Sequence, residues 1–483
     1  MTILAIGAAI LAAASGLVIA TGHHRPAVQL GTAHSSSPDT TDDITSGTPD
    51  DGSSVTLGAG DAAAPSTTST TLRATARSST TSSTPTSSTT VGPVSVTSPQ
   101  KAAPTEWPMF MGGPQHTGQS PAAGPQTSHV RWTYGDSNPP EARGAVVVGS
   151  DGTAYLAHGA NGPCGPIPPG PSCVAQVDAV SSTGQRRWQW TVNDQVDRSV
   201  PAVDDAGNVY LTTDRGTGSL FAITPAGATR WTLSLNGHYL RGSVTIGTDG
   251  TLYVQDSNST VFAVRAIDGH VLWERATNPG SIGYAGAPAV SPDGKTVYAT
   301  SGGGLLYALN PGGAVRWSVP VSGPSNAVIA NAPSVGPDGT IYVAAGGSSG
   351  DTPSDIDAFS PAGSIKWHFT SDGMFETTPA VTSGGLVVAA NNMGTVVGLH
   401  AANGTVAWTY HSDGDYGANF YLASPVVGAD GTVYAANQFG LVALKQGSVA
   451  WSAAGIPTGG ATPALTRSGR LLVVRLGQLV AYG

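Results

Sequence analysis

The sequence is poor in charged residues, in helix-forming residues and in cysteine. Asp, Glu, Lys and Arg make up 11% of its 483 residues, and 30 acidic against 21 basic residues give a formal net charge of −9. No cluster of Lys or Arg supplies the basic surface that nucleic-acid binding requires, which excludes that class of protein. The 11 His residues show no His-x-His or His-Glu-x-x-His spacing, which argues against zinc. Lys, Glu and Met are scarce, whereas Gly (65) and Pro (35) are abundant, which favours short strands and many turns.

The N-terminal run from Thr2 to Gly22 carries no charge. It is long enough to cross a bilayer and longer than the usual core of a signal peptide. We therefore predict that residues 1–22 are a retained membrane anchor or a cleaved signal peptide; a buried helix of a soluble domain is the third interpretation. No Lys or Arg precedes this run, so its orientation is not indicated, and the natural N-terminus could lie upstream.

Residues 23–105 have the composition of a linker. No aromatic residue occurs between Ser35 and Pro104, and 19 of the 25 positions from Ser66 to Thr90 are Ser or Thr. Such a segment cannot bury enough apolar area to offset the entropy lost on ordering. We predict a disordered Ser/Thr/Pro-rich stalk that holds a folded head away from a membrane or wall.

From Trp107 onward the sequence repeats with a period near 43 residues. Eight tryptophans each end a strand-like run, and from the second one onward they are spaced 41 to 50 residues apart. Eight Gly-containing turns, such as those at Asp151, Asp293 and Asp338, each open an alternating apolar run. This pattern predicts an all-β, eight-bladed β-propeller over residues 106–483. We expect its tryptophans to pack between neighbouring blades: Trp132, Trp188, Trp231, Trp273, Trp317, Trp367, Trp408 and Trp451.

The two ends of the repeat region complement each other. The last repeat begins near Thr458 and stops on a third strand at Tyr482, without an outer tryptophan strand. Residues 129–134, which contain Trp132, form an outer strand that no inner strands precede. We therefore predict that the N-terminal strand completes the eighth blade and closes the ring, which protects strand edges that would otherwise favour aggregation.

Several motifs resemble those of pyrroloquinoline-quinone-like (quinoprotein-type) propellers. The hairpin motif Ala-x-x-x-Gly-x-x-x-Trp of that family is approximated, one residue shorter, by the runs Ala266–Trp273 and Ala401–Trp408. The run from Trp107 to Gly118 also resembles the segment that leads into these propellers. The resemblance implies the fold, but the family includes both quinone-dependent dehydrogenases and non-enzymatic scaffolds, among them the lipoprotein scaffold of outer-membrane barrel assembly.

The quinone-dependent relatives use two adjacent cysteines, a Ca²⁺ ion and an Asp base. This chain has only Cys164 and Cys173, nine positions apart, in a Pro-rich insertion of the first blade. In an exported protein we expect these two cysteines to form a disulfide that staples this loop, rather than a metal or catalytic site. We therefore expect no catalytic residues, no metal and no cofactor, PQQ and Ca²⁺ included.

Polar residues on the loops around the central channel are the candidates for ligand binding. Loops on a rigid scaffold are where function usually resides. The alternative is that these side chains are merely solvated. The candidates are Arg143, Asp197, Arg198, Arg241, Asn331, Glu376, Asn391 and Asn437.

Taken together, these features predict an exported protein, anchored at the cell surface or secreted. We expect a non-catalytic binding or scaffold module for a protein or glycan, associated with a membrane through its N-terminal helix. Two alternatives remain open: a PQQ-dependent dehydrogenase, which rests on fold resemblance alone, and the extracellular sensor domain of a signalling pathway.

Overall fold

The computed structural model describes residues 106–483 except 136–144, 160–173, 197–198, 214–217, 241, 278–285, 322–328, 347–353, 413–422, 438, 455–460 and 476–477. The predicted membrane segment, the predicted stalk, Cys164 and Cys173 lie outside the described residues. Within this part of the chain the regular structure is β-strand apart from one 3-10 turn, Phe110–Gly112. No helix among the described residues is long and apolar enough to span a bilayer.

The strands form eight antiparallel sheets, each built from segments adjacent in sequence except for the last. Blade 1 comprises β2 (Val146–Val148), β3 (Ala154–Gly159), β4 (Ala175–Val180) and β5 (Arg186–Val192). Blade 2 comprises β6 (Ala202–Val203), β7 (Val209–Thr213), β8 (Ser219–Ile223) and β9 (Thr229–Ser234). Blade 3 comprises β10 (Thr245–Ile246), β11 (Thr251–Gln255), β12 (Thr260–Arg265) and β13 (Val271–Ala276). Blade 4 comprises β14 (Ala289–Val290), β15 (Val297–Thr300), β16 (Leu305–Leu309) and β17 (Val315–Pro320).

The remaining blades follow the same order from the channel outward. Blade 5 comprises β18 (Ile329–Ala330), β19 (Ser334–Val335), β20 (Ile341–Gly346), β21 (Asp355–Phe359) and β22 (Ile365–Thr370). Blade 6 comprises β23 (Ala380–Val381), β24 (Leu386–Ala390), β25 (Thr395–His400) and β26 (Val406–His411). Blade 7 comprises β27 (Val426–Val427), β28 (Val433–Asn437), β29 (Gly440–Lys445) and β30 (Ser448–Ala454). Blade 8 comprises β31 (Ala464–Leu465), β32 (Leu471–Arg475), β33 (Gln478–Tyr482) and β1 (Val130–Tyr134).

The N-terminal strand closes the ring, as the sequence predicts. β1 pairs antiparallel with β33, with Trp132 opposite Ala481 and Tyr134 opposite Leu479. The eight-bladed, all-β prediction is therefore confirmed for the described residues.

The closing strand is also held by a buried polar group of blade 1. Asp178 is buried and accepts hydrogen bonds from His158 Nε2 at 3.1 Å, from the amides of Gln176 and Gln189, and from the phenol of Tyr134 on β1. Burial acts to raise the pKa of Asp178, but these hydrogen bonds outweigh it and leave the pKa below its usual value. The Asp178 carboxylate thus stays charged and ties blade 8 to blade 1.

Each of the eight tryptophans occupies the same place in its blade. It lies opposite a small residue of the third strand, Ala in seven blades and Gly398 in blade 6. In six blades its Nε1 donates to a main-chain oxygen in the outer turn of the next blade. The acceptors, for Trp132, Trp188, Trp231, Trp273, Trp317 and Trp367 in turn, are Ser182, Pro225, Ala266, Pro311, Pro361 and Ala401.

The hairpin motif that resembles the family has a packing role in the structure. The carbonyl of Ala266 receives the indole N–H of Trp231, and a Cβ placed on Gly269 would lie 2.7 Å from the Trp231 ring. Gly269 has a φ of +75°, a conformation that side-chain-bearing residues rarely adopt. In these six blades the Gly of the outer turn thus lies against the tryptophan of the preceding blade, and the residue that accepts the indole N–H is Ala in two of them, Ala266 and Ala401.

The indole N–H can be tested separately from the ring. Trp317→Phe removes the hydrogen bond to Pro361, which is 3.1 Å long, and we expect it to lower the free energy of unfolding by about 1 kcal/mol. Trp408→Phe is the matched control, because Trp408 Nε1 donates no hydrogen bond within the described part of the chain. Urea unfolding of both variants measures the difference; equal losses would show that the N–H contributes nothing.

Candidate binding face

The two faces of the ring differ in which loops form them and in what covers them. The turns that join first to second strands, such as 149–153 in blade 1, lie at one end of the blades; the connections between second and third strands lie at the other. We call the first the strap face, because residues 106–126, the strap, run across it. We call the second the distal face.

The strap forms main-chain hydrogen bonds with one inner strand after another. Trp107 pairs with Val148 of blade 1, with N···O distances of 3.1 and 2.7 Å. The later strap carbonyls accept the N–H of the last residue of an inner strand in blades 2, 4, 5, 6 and 7, at 2.7 to 2.8 Å. The pairs are Pro108 with Val203, Pro114 with Val290, Gln115 with Val335, Thr117 with Val381, and Gly118 with Val427.

Side chains of the strap complete its contacts with the ring. Met109 packs in the core of blades 2 and 3, and Met111 packs between blades 6 and 7. The hydroxyl of Ser120 donates to Thr466 O of blade 8 at 3.4 Å. When these side-chain contacts, the main-chain hydrogen bonds and a contact of His116 with blade 3 (described below) are counted together, the strap contacts all eight blades.

His116 is the polar centre of the strap. It is fully buried, with Nδ1 3.1 Å from Pro333 O of blade 5 and Nε2 3.1 Å from Thr245 Oγ1 of blade 3. Burial lowers its pKa to about 4, partly opposed by the hydrogen bond to Pro333. The imidazole is therefore neutral at pH 7 and bridges two blades two positions apart in the ring.

The predicted ligand residues fall into two groups. Arg143, Asp197, Arg198 and Arg241 lie outside the described residues. Asn331, Glu376, Asn391 and Asn437 all lie at the distal-face ends of their blades: Asn331 between β18 and β19, Glu376 before β23, Asn391 after β24, and Asn437 at the end of β28. Their role in binding stays a prediction.

Asn331 joins two blades. Its Nδ2 donates to Ala344 O of blade 5 at 3.2 Å and to Phe375 O of the following connection at 2.9 Å. Glu376, next to Phe375, is half-buried. These two residues thus lie at the boundary between blades 5 and 6 on the distal face.

Asn391 and Asn437 shape equivalent turns in blades 6 and 7. Asn391 Oδ1 accepts the N–H of Met393 at 3.0 Å, and Asn437 Oδ1 accepts the N–H of Phe439 at 2.9 Å. An Asn side chain that bonds the main chain two residues onward fixes the turn. The Asn391 Nδ2 also donates to Ser371 Oγ at 2.9 Å.

These two turns present apolar side chains to solvent. Met393 is 45% exposed and Phe439 is 54% exposed, and they occupy the same position in adjacent blades. The corresponding position is Asn258 in blade 3 and Gly303 in blade 4. Sequence reasoning missed both apolar residues, although the repeated pattern Asn-x-apolar-Gly marks them.

A histidine and a carboxylate meet on the distal face of blade 3. His238 Nδ1 lies 2.5 Å from Oδ2 of the buried Asp256, whose Oδ1 accepts the N–H groups of Asn258 and Thr260. The neighbouring Tyr239 is 49% exposed. The buried carboxylate therefore fixes the orientation of His238 beside an exposed aromatic ring.

The described donors do not fit the quinone and calcium site that the resemblance raises. The chain has no adjacent cysteines. Among the residues described, no group of three or more His, Cys, Asp or Glu side chains is placed to hold a metal ion.

The fold and the docked tryptophans define a PQQ-like β-propeller. A family model described as outer membrane protein assembly factor BamB matches residues 173–352 and 329–481, which is more than half of the chain. The chain belongs to this family. A search of the curated proteins finds no match.

Two solved structures show the same fold. BamB from Moraxella catarrhalis is 18% identical, with a TM-score of 0.54 over 71% of this chain and 97% of that one. The quinohemoprotein alcohol dehydrogenase ADHIIG from Pseudomonas putida HK5 is 14% identical, with a TM-score of 0.50 over 79% of this chain and 80% of that one. At these identities the likeness shows the fold alone.

Proposed function

We propose that this chain is a non-catalytic scaffold that docks a protein partner on the distal face, with its contact centred on blades 6 and 7. The observation that carries the proposal is the pair Met393 and Phe439, both about half exposed and both held by an Asn-bonded turn. Exposed apolar side chains on rigid turns are typical anchors of protein interfaces. The strap occupies the other face, which leaves the distal face for a partner.

The family description supports a scaffold, since it names an assembly factor for outer membrane proteins. We further propose that the chain is exported and held near a membrane by residues 1–22, with residues 23–105 as a spacer. The uncharged N-terminal run and the Ser/Thr-rich segment are what support this.

Site-specific photocrosslinking in the native host tests the docking face. Phe439 and Met393 are replaced one at a time by p-benzoylphenylalanine, and Ile365 is the control, because it is also 54% exposed but lies on the outer strand of blade 5. We expect a discrete protein adduct from positions 439 and 393 and none from 365. Adducts from 365 alone, glycan adducts, or no adduct from the distal face would contradict the proposal.

Charge substitution gives the size of the effect. Phe439→Asp and Met393→Asp place a carboxylate in the contact, and we expect each to weaken binding of the crosslinked partner at least tenfold. Ile365→Asp should leave the affinity unchanged. Dye reduction by the protein supplied with pyrroloquinoline quinone, Ca²⁺ and an alcohol would instead favour a dehydrogenase.

A further inference from the structure

The proposed docking surface belongs to a long stretch of chain without lysine or arginine. Residues 367–444, which run from the outer strand of blade 5 to the third strand of blade 7 and include Met393 and Phe439, contain neither. In the adjacent blade 8, Arg475 is buried and donates to the phenol of Tyr482. The stretch has five acidic residues: Asp372, Glu376, Asp413, Asp415 and Asp430.

The two lysines that border this stretch lie at the strap-face ends of their blades. Lys366 Nζ lies 3.6 Å from Asp338 Oδ2, and Lys445 Nζ lies 3.3 Å from Asp430 Oδ2. A strand rises about 3.3 Å per residue, so the four steps from Lys366 to Thr370 exceed the screening length of about 8 Å in physiological salt. Neither lysine therefore offsets negative charge on the distal face.

The carboxylate of Asp372 lies beside the exposed Met393. Asp372 Oδ1 accepts the Nδ2 of Asn391 at 3.2 Å, and Asn391 Oδ1 accepts the N–H of Met393 at 3.0 Å. A Cβ on Gly373, the residue after Asp372, would lie 2.5 Å from Met393 Cγ. Asp372 and Met393 are both exposed. One carboxylate and one apolar side chain are thus presented together to solvent.

The two turns that carry this pair are bonded to each other. Asn392 Oδ1 accepts the N–H of Met374 at 2.7 Å, and the N–H of Asn392 donates to Met374 O at 2.9 Å. Two more carboxylates lie nearby in sequence on the same face, on the partly exposed Asp355 at the start of β21 and on the half-buried Glu376. Among the described distal-face residues of blades 5 to 7 there is no Lys or Arg.

We propose that the partner docks through a basic segment, in which an apolar side chain packs on Met393 and a neighbouring Lys or Arg pairs with Asp372. This inference rests on the proposed docking function and specifies the chemistry of the partner. A carboxylate at the edge of an apolar contact selects partners by charge and draws a cationic surface toward it. Because Asp372 is already held by Asn391, little side-chain entropy is lost when the pair forms.

Charge substitution combined with photocrosslinking tests the proposal. Limiting amounts of the purified protein with p-benzoylphenylalanine at position 439 are mixed with an extract of the native host, and the yield of the discrete adduct is measured. We expect the yield to fall between about 0.05 M and about 0.5 M salt. Asp372→Asn keeps an acceptor for Asn391 and should lower the yield about fivefold. Asp372→Lys should lower it at least about tenfold, because it brings like charges together.

Glu274→Lys is the matched control, because Glu274 is exposed on the outer strand of blade 3 and its replacement changes the net charge by the same amount. It should leave the adduct yield unchanged. After mass spectrometry has identified the crosslinked segment of the partner, replacing its Lys or Arg by Glu should restore the adduct with Asp372→Lys and weaken it with the wild type.

The outcomes separate this inference from the docking proposal beneath it. A discrete adduct whose yield is the same in the wild type and Asp372→Lys, at both salt concentrations, overturns the basic partner and leaves the docking face in place. An equal fall in Asp372→Lys and Glu274→Lys also overturns the contact, since it would be an effect of net charge. The absence of any adduct from position 439 overturns both proposals.

Discussion

A chain that begins at residue 129, and so keeps the closing strand but lacks the strap, should lose at least about 5 kcal/mol of its free energy of unfolding. Met109 and Met111 are buried, and removing one buried Met side chain costs about 2–5 kcal/mol. The deletion also leaves the end N–H groups of inner strands without their strap acceptors. Because net stability is about 5–15 kcal/mol, the shortened chain should unfold at a far lower urea concentration or fail to stay soluble.

Rescue in trans separates the strap's contacts from the mere length of the chain. A synthetic peptide of residues 106–128 should bind the shortened chain and restore most of its urea resistance, whereas a scrambled peptide should not. If the shortened chain unfolds at the same urea concentration as the full chain, the strap does not hold the ring together.

Substitution of a single strap glycine tests the contribution of the strap to stability with a smaller change than the deletion. Gly118 has a φ of +64°, and a Cβ there would lie 2.5 Å from Met111 Cε and 3.0 Å from Ala380 Cβ. Gly113 has an extended φ of 177°, and a Cβ there would meet nothing within 4 Å. Gly118→Ala should therefore destabilise the ring by about 1–3 kcal/mol, and Gly113→Ala should be nearly neutral.

The number and spacing of the repeats made the eight-bladed architecture predictable from the sequence. At the N-terminal end of the repeat region one tryptophan strand has no inner strands before it, and at the C-terminal end the last inner strands have no tryptophan strand after them. Only pairing the two completes a blade, and Trp132 does lie opposite Ala481. The period specifies the blades because each blade has to bury its faces against its neighbours.

The contacts of the strap were harder to predict from the sequence, because the strap contains no repeat. The run from Trp107 to Gly118 could be recognised as the lead into a propeller, but its role depends on carbonyls that meet six different inner strands. Main-chain contacts between segments far apart leave little trace in side-chain patterns. Besides that run, the apolar residues Met109 and Met111 and the histidine His116 are the side chains whose burial marks the strap.

The sequence indicated which ends of the blades carry the described ligand candidates, but not which groups their side chains bond. Asn391 and Asn437 were chosen as polar ligand candidates, and both do lie on that face. Their side chains bond their own turns, and the residues they position, Met393 and Phe439, are the ones that face solvent. An Asn in a loop binds its own main chain as readily as a ligand, and composition alone does not separate these uses.

His116 should make the ring sensitive to acid. Its pKa is about 4 in the folded protein, below the ordinary value of 6.5, because burial disfavours the charged imidazole. Between these values the unfolded chain binds a proton that the folded ring does not, so stability falls as the pH falls. The contribution is fully present above pH 6.5, declines from there to about pH 4, and totals about 3 kcal/mol.

The variant His116→Gln isolates this contribution from the titration of carboxylates. Gln keeps a donor and an acceptor for Thr245 and Pro333 but carries no charge at any pH, so the carboxylate background is common to both proteins. Urea unfolding at pH 7 and pH 4 should show the wild type losing about 3 kcal/mol more than the variant. A parallel decline in the two proteins would mean that the imidazole is protonated in the folded ring, and that the strap accommodates a charge beneath the channel.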